Sequence, residues 1–218
     1  MAVVKDSPGK ARLLEAGQRL MLAGGYTATT VDQVCAEAGV TKGSFFHYFK
    51  SKEEFGEALL DHFWESGQQM LASAPFTELA DPLVRLHGYL DHFVVLARDP
   101  GVPNSCLFGN VSQEMAPVHP ALRARCGEGF GAWAEQIARE LDEAKRLHPP
   151  QVDFDSGSLA RHFIAVYEGS LILVKAHDDA RVLEENVEHF RRYVTALFGQ
   201  VDGNGGKPDG QAPSRNRD

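Results

Sequence analysis

Residues 30–52 constrain the chain more than any other stretch, because their pattern fits two short helices held across a tight turn. Thr30 is a good N-cap, and Gln33 three positions later completes a capping box, so a helix starts at about Val31. Val34, Cys35 and Ala38 give it one apolar stripe. Gly39 ends it, since glycine takes the left-handed conformation at little steric cost. Val40 is the expected buried turn residue, and Thr41 caps the next helix. There Phe45 and Phe49, four apart, point inward, which leaves Lys42, Gly43, Phe46 and His47 pointing out. Ser51 and Glu54 form a second capping box that opens a third helix at once. The arrangement is a helix-turn-helix.

Gly25-Tyr26, Thr30, Ala38-Gly39-Val40, Gly43 and Phe49-Lys50-Ser51-Lys52-Glu53 all stand at fixed spacing. With these residues the first quarter of the chain resembles the TetR family of repressors. Many typed positions carry the likeness rather than one short motif. The resemblance implies a homodimer on double-stranded DNA, with two recognition helices in successive major grooves of a palindromic operator. Lys42, Ser44 and His47 are then the expected groove contacts. Thr30, Tyr48, Lys50 and Lys52 are expected to touch phosphate or position the helix, and Thr41, Gly43 and Phe46 complete the DNA-binding set. Phe46 departs from the family, which usually has a tyrosine there, so that hydroxyl's phosphate contact is lost.

Charge alone does not make this argument. The 218-residue chain carries −8 overall, but residues 1–52 hold seven Lys/Arg against four Asp/Glu, a local +3 that leaves −11 for the rest. An acidic body with a basic head favours one docking orientation on DNA, although such a head is unexceptional by itself. Hydrophobic content of 43% and charged content of 24% are ordinary for a globular protein. No stretch approaches the ~18 apolar residues of a spanning helix, and Lys5, Asp6, Lys10 and Arg12 are followed by no signal-peptide core, so a cytoplasmic location without membrane is expected. Cys35, Cys106 and Cys126, odd in number and far apart, suit free thiols.

The remaining periodicity predicts an all-α fold, an N-terminal three-helix helix-turn-helix domain followed by a larger helical regulatory and dimerisation domain. Residues 1–52 form the first, 53–201 the second, and the Gly- and Pro-rich 202–218 a disordered tail. Residues 1–8 read as a loose arm, with helices over 10–24, from 51 toward 72, and over 81–98, 121–147, 155–177 and 181–199. The third helix of the head runs too far to belong to it alone and connects the two domains. Gly127, Gly129 and Gly131 loosen the start of the 121–147 helix. From Phe163 to Val174 apolar residues fall on every side, predicting a helix buried all round. In the TetR family the last two long helices pair with their copies in a second subunit, and this pair is similar to them. Burial inside a monomer is the alternative.

No catalytic constellation survives inspection, so no enzyme activity and no cofactor are expected. Gly203 to Lys207 lacks the spacing, the strand and the Ser or Thr of a phosphate loop, and His87 with His92 do not share one helix face for a metal. Cys106-Leu107-Phe108-Gly109-Asn110, with Glu114, Glu168 and Lys175, resembles the NemR-like subgroup of TetR regulators, which is associated with electrophiles and oxidants. If the segment is helical, Cys106, Asn110 and Gln113 or Glu114 share a face. The resemblance suggests Cys106 as sensor and Lys175 as the cation favouring its thiolate. A structural core cysteine, and a lysine reaching solvent, are the alternatives. Phe93, Phe108, Trp133, Phe163 and Tyr167 are candidates for an apolar pocket on helical phase. The reading is a repressor released by a small molecule or reactive electrophile. An all-α binding protein or enzyme with a vestigial head, and an activator, are the contrasting readings.

Overall fold

A computed structural model describes residues 7–199. The arm before residue 7 and the expected tail over 202–218, with Gly203 to Lys207, lie outside the described residues. Within them all regular structure is helical: α1 (Pro8–Gly24), α2 (Val31–Ala38), α3 (Lys42–Tyr48), α4 (Lys52–Ala72), α5 (Pro82–Arg98), α6 (Leu107–Met115), α7 (Pro120–Leu147), α8 (Ser156–His177) and α9 (Arg181–Phe198), with a 3-10 turn at Pro75–Glu78.

Local chemistry fixes the head. Thr30 Oγ1 accepts from the Gln33 amide at 3.2 Å while Gln33 Oε1 accepts from the Thr30 amide at 2.8 Å, the reciprocal box that starts α2. Gly39 ends α2 in the left-handed region at φ 63°. Phe45 is fully buried against Phe49 and Phe55, with ring centroids 5.4 and 5.3 Å away. Two details differ from the sequence reading. Val40 is only half-buried, and Glu54 closes its box on the Lys50 amide at 2.8 Å rather than on Ser51, whose hydroxyl does cap the Glu54 amide at 3.2 Å.

The long α4 belongs to both halves. Its first turns send Phe55 and Leu59 into the head core, where a Cβ on Gly17 of α1 would sit 2.4 Å from the Phe55 ring. Further along, Phe63 meets Phe108 of α6 at 5.6 Å between ring centroids. The glycines of α7 do not interrupt it. Instead a Cβ at Gly129 would fall 2.3 Å from Phe108, so glycine there admits the aromatic ring. Asn186 of α9 donates to Ser170 Oγ of α8 at 3.1 Å, fastening the last two helices.

The expectation that α8 is buried all round is corrected within one chain. Phe163, Leu171 and Val174 are buried, but Ile172 and Leu173 stand 51% and 42% exposed, as does Tyr193 of α9 at 48%. An apolar stripe too wide for the single-chain core left its surplus on the outside. None of the described helices is long and apolar enough to cross a membrane.

Candidate DNA-reading surface and sensing cavity

Burying Phe45 and Phe49 turns the opposite side of α3 outward. Lys42, Gly43, Phe46, His47 and Lys50 are exposed, Phe46 by 51%, and Ser44 is half-buried. The helix entry is preset, because Thr41 Oγ1 accepts from the Ser44 amide at 3.1 Å. Thr30 and Thr41 therefore position their helices with hydroxyls already engaged. Lys42 pairs with Asp32 of α2 at 2.9 Å, an exposed contact that costs little to exchange. Tyr48 is half-buried, its hydroxyl 2.9 Å from where a Gly9 Cβ would lie. Lys52 departs from a free phosphate hand. Its ammonium sits 4.5 Å over the Tyr26 ring and donates to the Thr27 carbonyl at 3.3 Å, and burial lowers its pKa against the pull of Glu53 and Glu114.

The same turn, Gly25 to Thr27, is gripped from the body. Glu114 of α6 accepts from the Tyr26 amide at 3.0 Å and the Thr27 amide at 2.6 Å. Burial works to raise the Glu114 pKa, but the Thr27 and Tyr26 hydrogen bonds and the Lys52 charge hold it below the usual carboxylate value. One turn earlier on α6, Asn110 donates to the Met21 carbonyl at the end of α1 at 3.2 Å and to Ser105 Oγ at 3.0 Å. Helix α6 thus carries the head on two polar contacts.

Cys106 is not in that helix but caps it. Its extended backbone (φ −117°, ψ 129°) precedes Leu107, so the expected shared face reduces to Asn110 and Glu114. The expected cation partner is also corrected. Lys175 donates to Ser105 Oγ at 2.9 Å and Asn110 Oδ1 at 3.2 Å, while the buried Cys106 thiol has the Glu168 carboxylate beside it. Burial, then the Glu168 carboxylate, push the thiol well above its ordinary value. Burial also raises Glu168, opposed by the Cys106 thiol and the Lys175 charge. The pair holds a protonated thiol, with Glu168 rather than Lys175 beside it.

Between α4, α5, α6, α7 and α8 lies a cavity of about 300 Å³. Phe93, Phe108, Trp133 and Tyr167 line it as the sequence predicted, together with Cys106. Phe163 does not; it is fully buried behind them, stacked on Tyr167. Neither Asn110 nor Lys175 reaches the cavity. The sequence reading missed Phe63 and Trp64 of α4, the 101–105 loop, and Gln18 and Leu22 of α1, which are part of the head. Their signal was available for Gln18 alone: Leu14, Gln18 and Leu22 recur every four residues, a polar residue inside an apolar row. Among the described residues no His, Cys, Asp and Glu cluster is arranged to hold a metal.

Comparison with known proteins fits this geometry. The family model described as "Bacterial regulatory proteins, tetR family" matches residues 13–59, and "Tetracyclin repressor-like, C-terminal domain" matches residues 82–190. The chain belongs to the TetR family. It is a TetR-type DNA-binding transcriptional regulator. Similar proteins include the HTH-type transcriptional repressor DhaR of Mycobacterium sp. (strain GP1), 28% identical over 88% of this chain and 91% of that protein. Transcriptional regulator AcuR of Cereibacter sphaeroides is 30% identical over 75% and 74%. The repressor NemR of Escherichia coli (strain K12) is 24% identical over 84% and 92%. Among solved structures, regulatory protein TetR from Rhodobacter sphaeroides superposes with TM-score 0.75 at 28% identity, covering 86% of this chain and 99% of that one. Reduced E. coli NemR superposes with TM-score 0.76 at 23% identity, covering 85% and 96%, a likeness of fold. These TetR-family relatives are regulators, which speaks against an enzyme.

Proposed function

We propose that this TetR-family chain is a cytoplasmic homodimeric repressor that leaves a palindromic operator when a small molecule fills the cavity. One observation carries the reading: α6 begins at the cavity, with Cys106 and Phe108 in its wall, and ends on the head, with Glu114 on the Tyr26 and Thr27 amides. A ligand that displaces α6 changes how the head is held. It can shift the equilibrium only by its different affinity for the two arrangements.

In this reading Lys42, Ser44 and His47 meet the groove, and Lys50 meets phosphate. Gly43 is exposed and a Cβ there would meet only Thr41 Oγ1 at 3.7 Å, so neither a turn nor packing demands glycine. Close approach of a DNA backbone does. The apolar stripe of Ile172, Leu173 and Tyr193 is the face a second copy covers, placing two heads at a fixed spacing. Leu173→Glu then yields a monomer by light scattering; a dimer of unchanged strength places the interface elsewhere. A covalent inducer is the second reading, because the Cys106 thiol is in the cavity wall, and it stands second because that thiol is held protonated. The test is titration of small molecules against protein free and bound to DNA recovered from a random pool. Equal affinities for the two forms refute release by a cavity ligand.

A further inference from the structure

The cavity has walls from both halves of the molecule. From the body come aromatic rings in two groups, Phe63 with Phe108, and Phe93 with Trp133 and Tyr167. Within the second group ring centroids lie 4.8 to 5.9 Å apart, and Phe93 and Tyr167 meet edge to face. Such walls accept a flat aromatic guest through stacking and edge contacts. Among the described residues no Asp, Glu, Lys or Arg lines the space. A charged ligand would lose its hydration there without a counter-charge, so the guest is neutral. About 300 Å³ sits at the lower end of cavities that hold small ligands and suits two fused rings rather than a large metabolite.

From the head comes Gln18 of α1, with Leu22 beside it. Gln18 Oε1 is fully removed from solvent and has no hydrogen-bond partner. Buried side-chain oxygens are almost always satisfied; Gln18 lines the cavity with other atoms, and rotation of its amide brings the unpaired oxygen to what enters.

We propose that Gln18, a residue of the DNA-binding head, is a ligand-recognition residue whose carbonyl accepts a hydrogen bond from a neutral, planar, two-ring aromatic ligand bearing an N–H or O–H group. This rests on the cavity being the inducer site. Because Gln18 rides on α1, the hydrogen bond forms at one position of the head relative to α4 and α8 and is stretched at others. The ligand therefore reads head position directly, in competition with Asn110 and Glu114, which hold the end of α1 from α6.

The test is calorimetric titration of the full chain with three probes, 2-naphthol, 2-methoxynaphthalene and 2-naphthoate. These have the same rings with a donor, without one, and with a charge. Wild type is expected to prefer 2-naphthol over 2-methoxynaphthalene by roughly threefold to tenfold, the worth of one neutral hydrogen bond. Gln18→Leu is expected to abolish that preference while still binding 2-methoxynaphthalene, and 2-naphthoate to bind weakly in both. Gln18→Met, which keeps side-chain length without the amide, repeats the comparison. A preference of the same size in the wild type and both variants overturns the role of Gln18. Binding of 2-naphthoate as tight as that of 2-naphthol overturns the neutral-ligand claim, and binding of none of the probes overturns the site. DNA binding by the unliganded wild type is measured separately: its absence sinks the repressor reading, whereas no preference of the wild type for 2-naphthol with DNA binding intact sinks this inference alone.

Discussion

The DNA-binding head and the cavity of the body are both helical, yet they place their residues in opposite ways. In the head each helix is started by a cap within three residues, Thr30 on Gln33, Thr41 on Ser44 and Ser51 on Glu54. Which side of α3 faces out follows from Phe45 and Phe49 facing in. In the cavity the walls come from positions as distant as Gln18 and Tyr167, and a residue's place depends on how several helices cross. A surface specified locally can be read from its own segment. A cavity specified by distant contacts cannot, and it is also the part that can be reshaped without unfolding the head.

That contrast is sharpest at buried aromatic rings. Phe45→Ala, emptying the centre of a three-ring cluster, should cost about 3–5 kcal/mol by urea unfolding. Phe63→Ala at the half-buried cavity edge should cost clearly less. Comparable losses would mean the cavity wall is packed as rigidly as the head.

The contact joining the two regions comes next. Glu114→Ala strips acceptors from two amides and should cost about 1.5 kcal/mol, a value already reduced for partial exposure. Because the native carboxyl is held below its ordinary 4.5, its contribution is complete above that pH and is lost as pH falls through the lower native value. The stability gap between wild type and Glu114→Ala should be constant above pH 4.5 and close below it. A gap that persists in acid would assign it to packing.

Within the head, Thr30→Ala removes a cap and should cost about 1 kcal/mol by the same unfolding measurement, with the cavity's affinity for 2-naphthol unchanged. The smallest stability effect belongs to Lys42→Ala, under about 0.5 kcal/mol because its ion pair with Asp32 is exposed. On DNA the same change should relax sequence preference at the position that Lys42 meets in the groove. An unaltered preference removes Lys42 from the groove contacts.

Helix boundaries, the Thr30–Gln33 capping box, the left-handed Gly39 and the outward residues of α3 were legible because period and caps are local. Four of the five pocket aromatics followed from helical phase. Phe163 did not, since phase says which rings face the core but not which of them stop at a void. The partner of Lys175 was misread, and the contacts of Lys52 were not foreseen, for a related reason. A lysine's long stem lets its ammonium choose among partners that only the folded chain brings close, here the Tyr26 ring and the Ser105–Asn110 pair. The Glu168 neighbour of Cys106 lies 62 residues further along the chain; the resemblance names both residues, but neither segment's own pattern puts them in contact. Chemistry follows from that neighbour: alkylation of Cys106 by iodoacetamide should be slower than that of free cysteine at neutral pH and should rise only in strong alkali. Rapid labelling at pH 7 would restore the thiolate reading.

The central claim is that α6 transmits cavity occupancy to the head through Glu114. Hydrogen exchange at the Tyr26 and Thr27 amides tests it most directly, followed in wild type with and without saturating 2-naphthol and in Glu114→Ala. Exchange at both amides should quicken when the cavity is filled, and in Glu114→Ala it should be fast already and indifferent to the ligand. Amides that stay equally protected in wild type with the cavity filled would contradict the account.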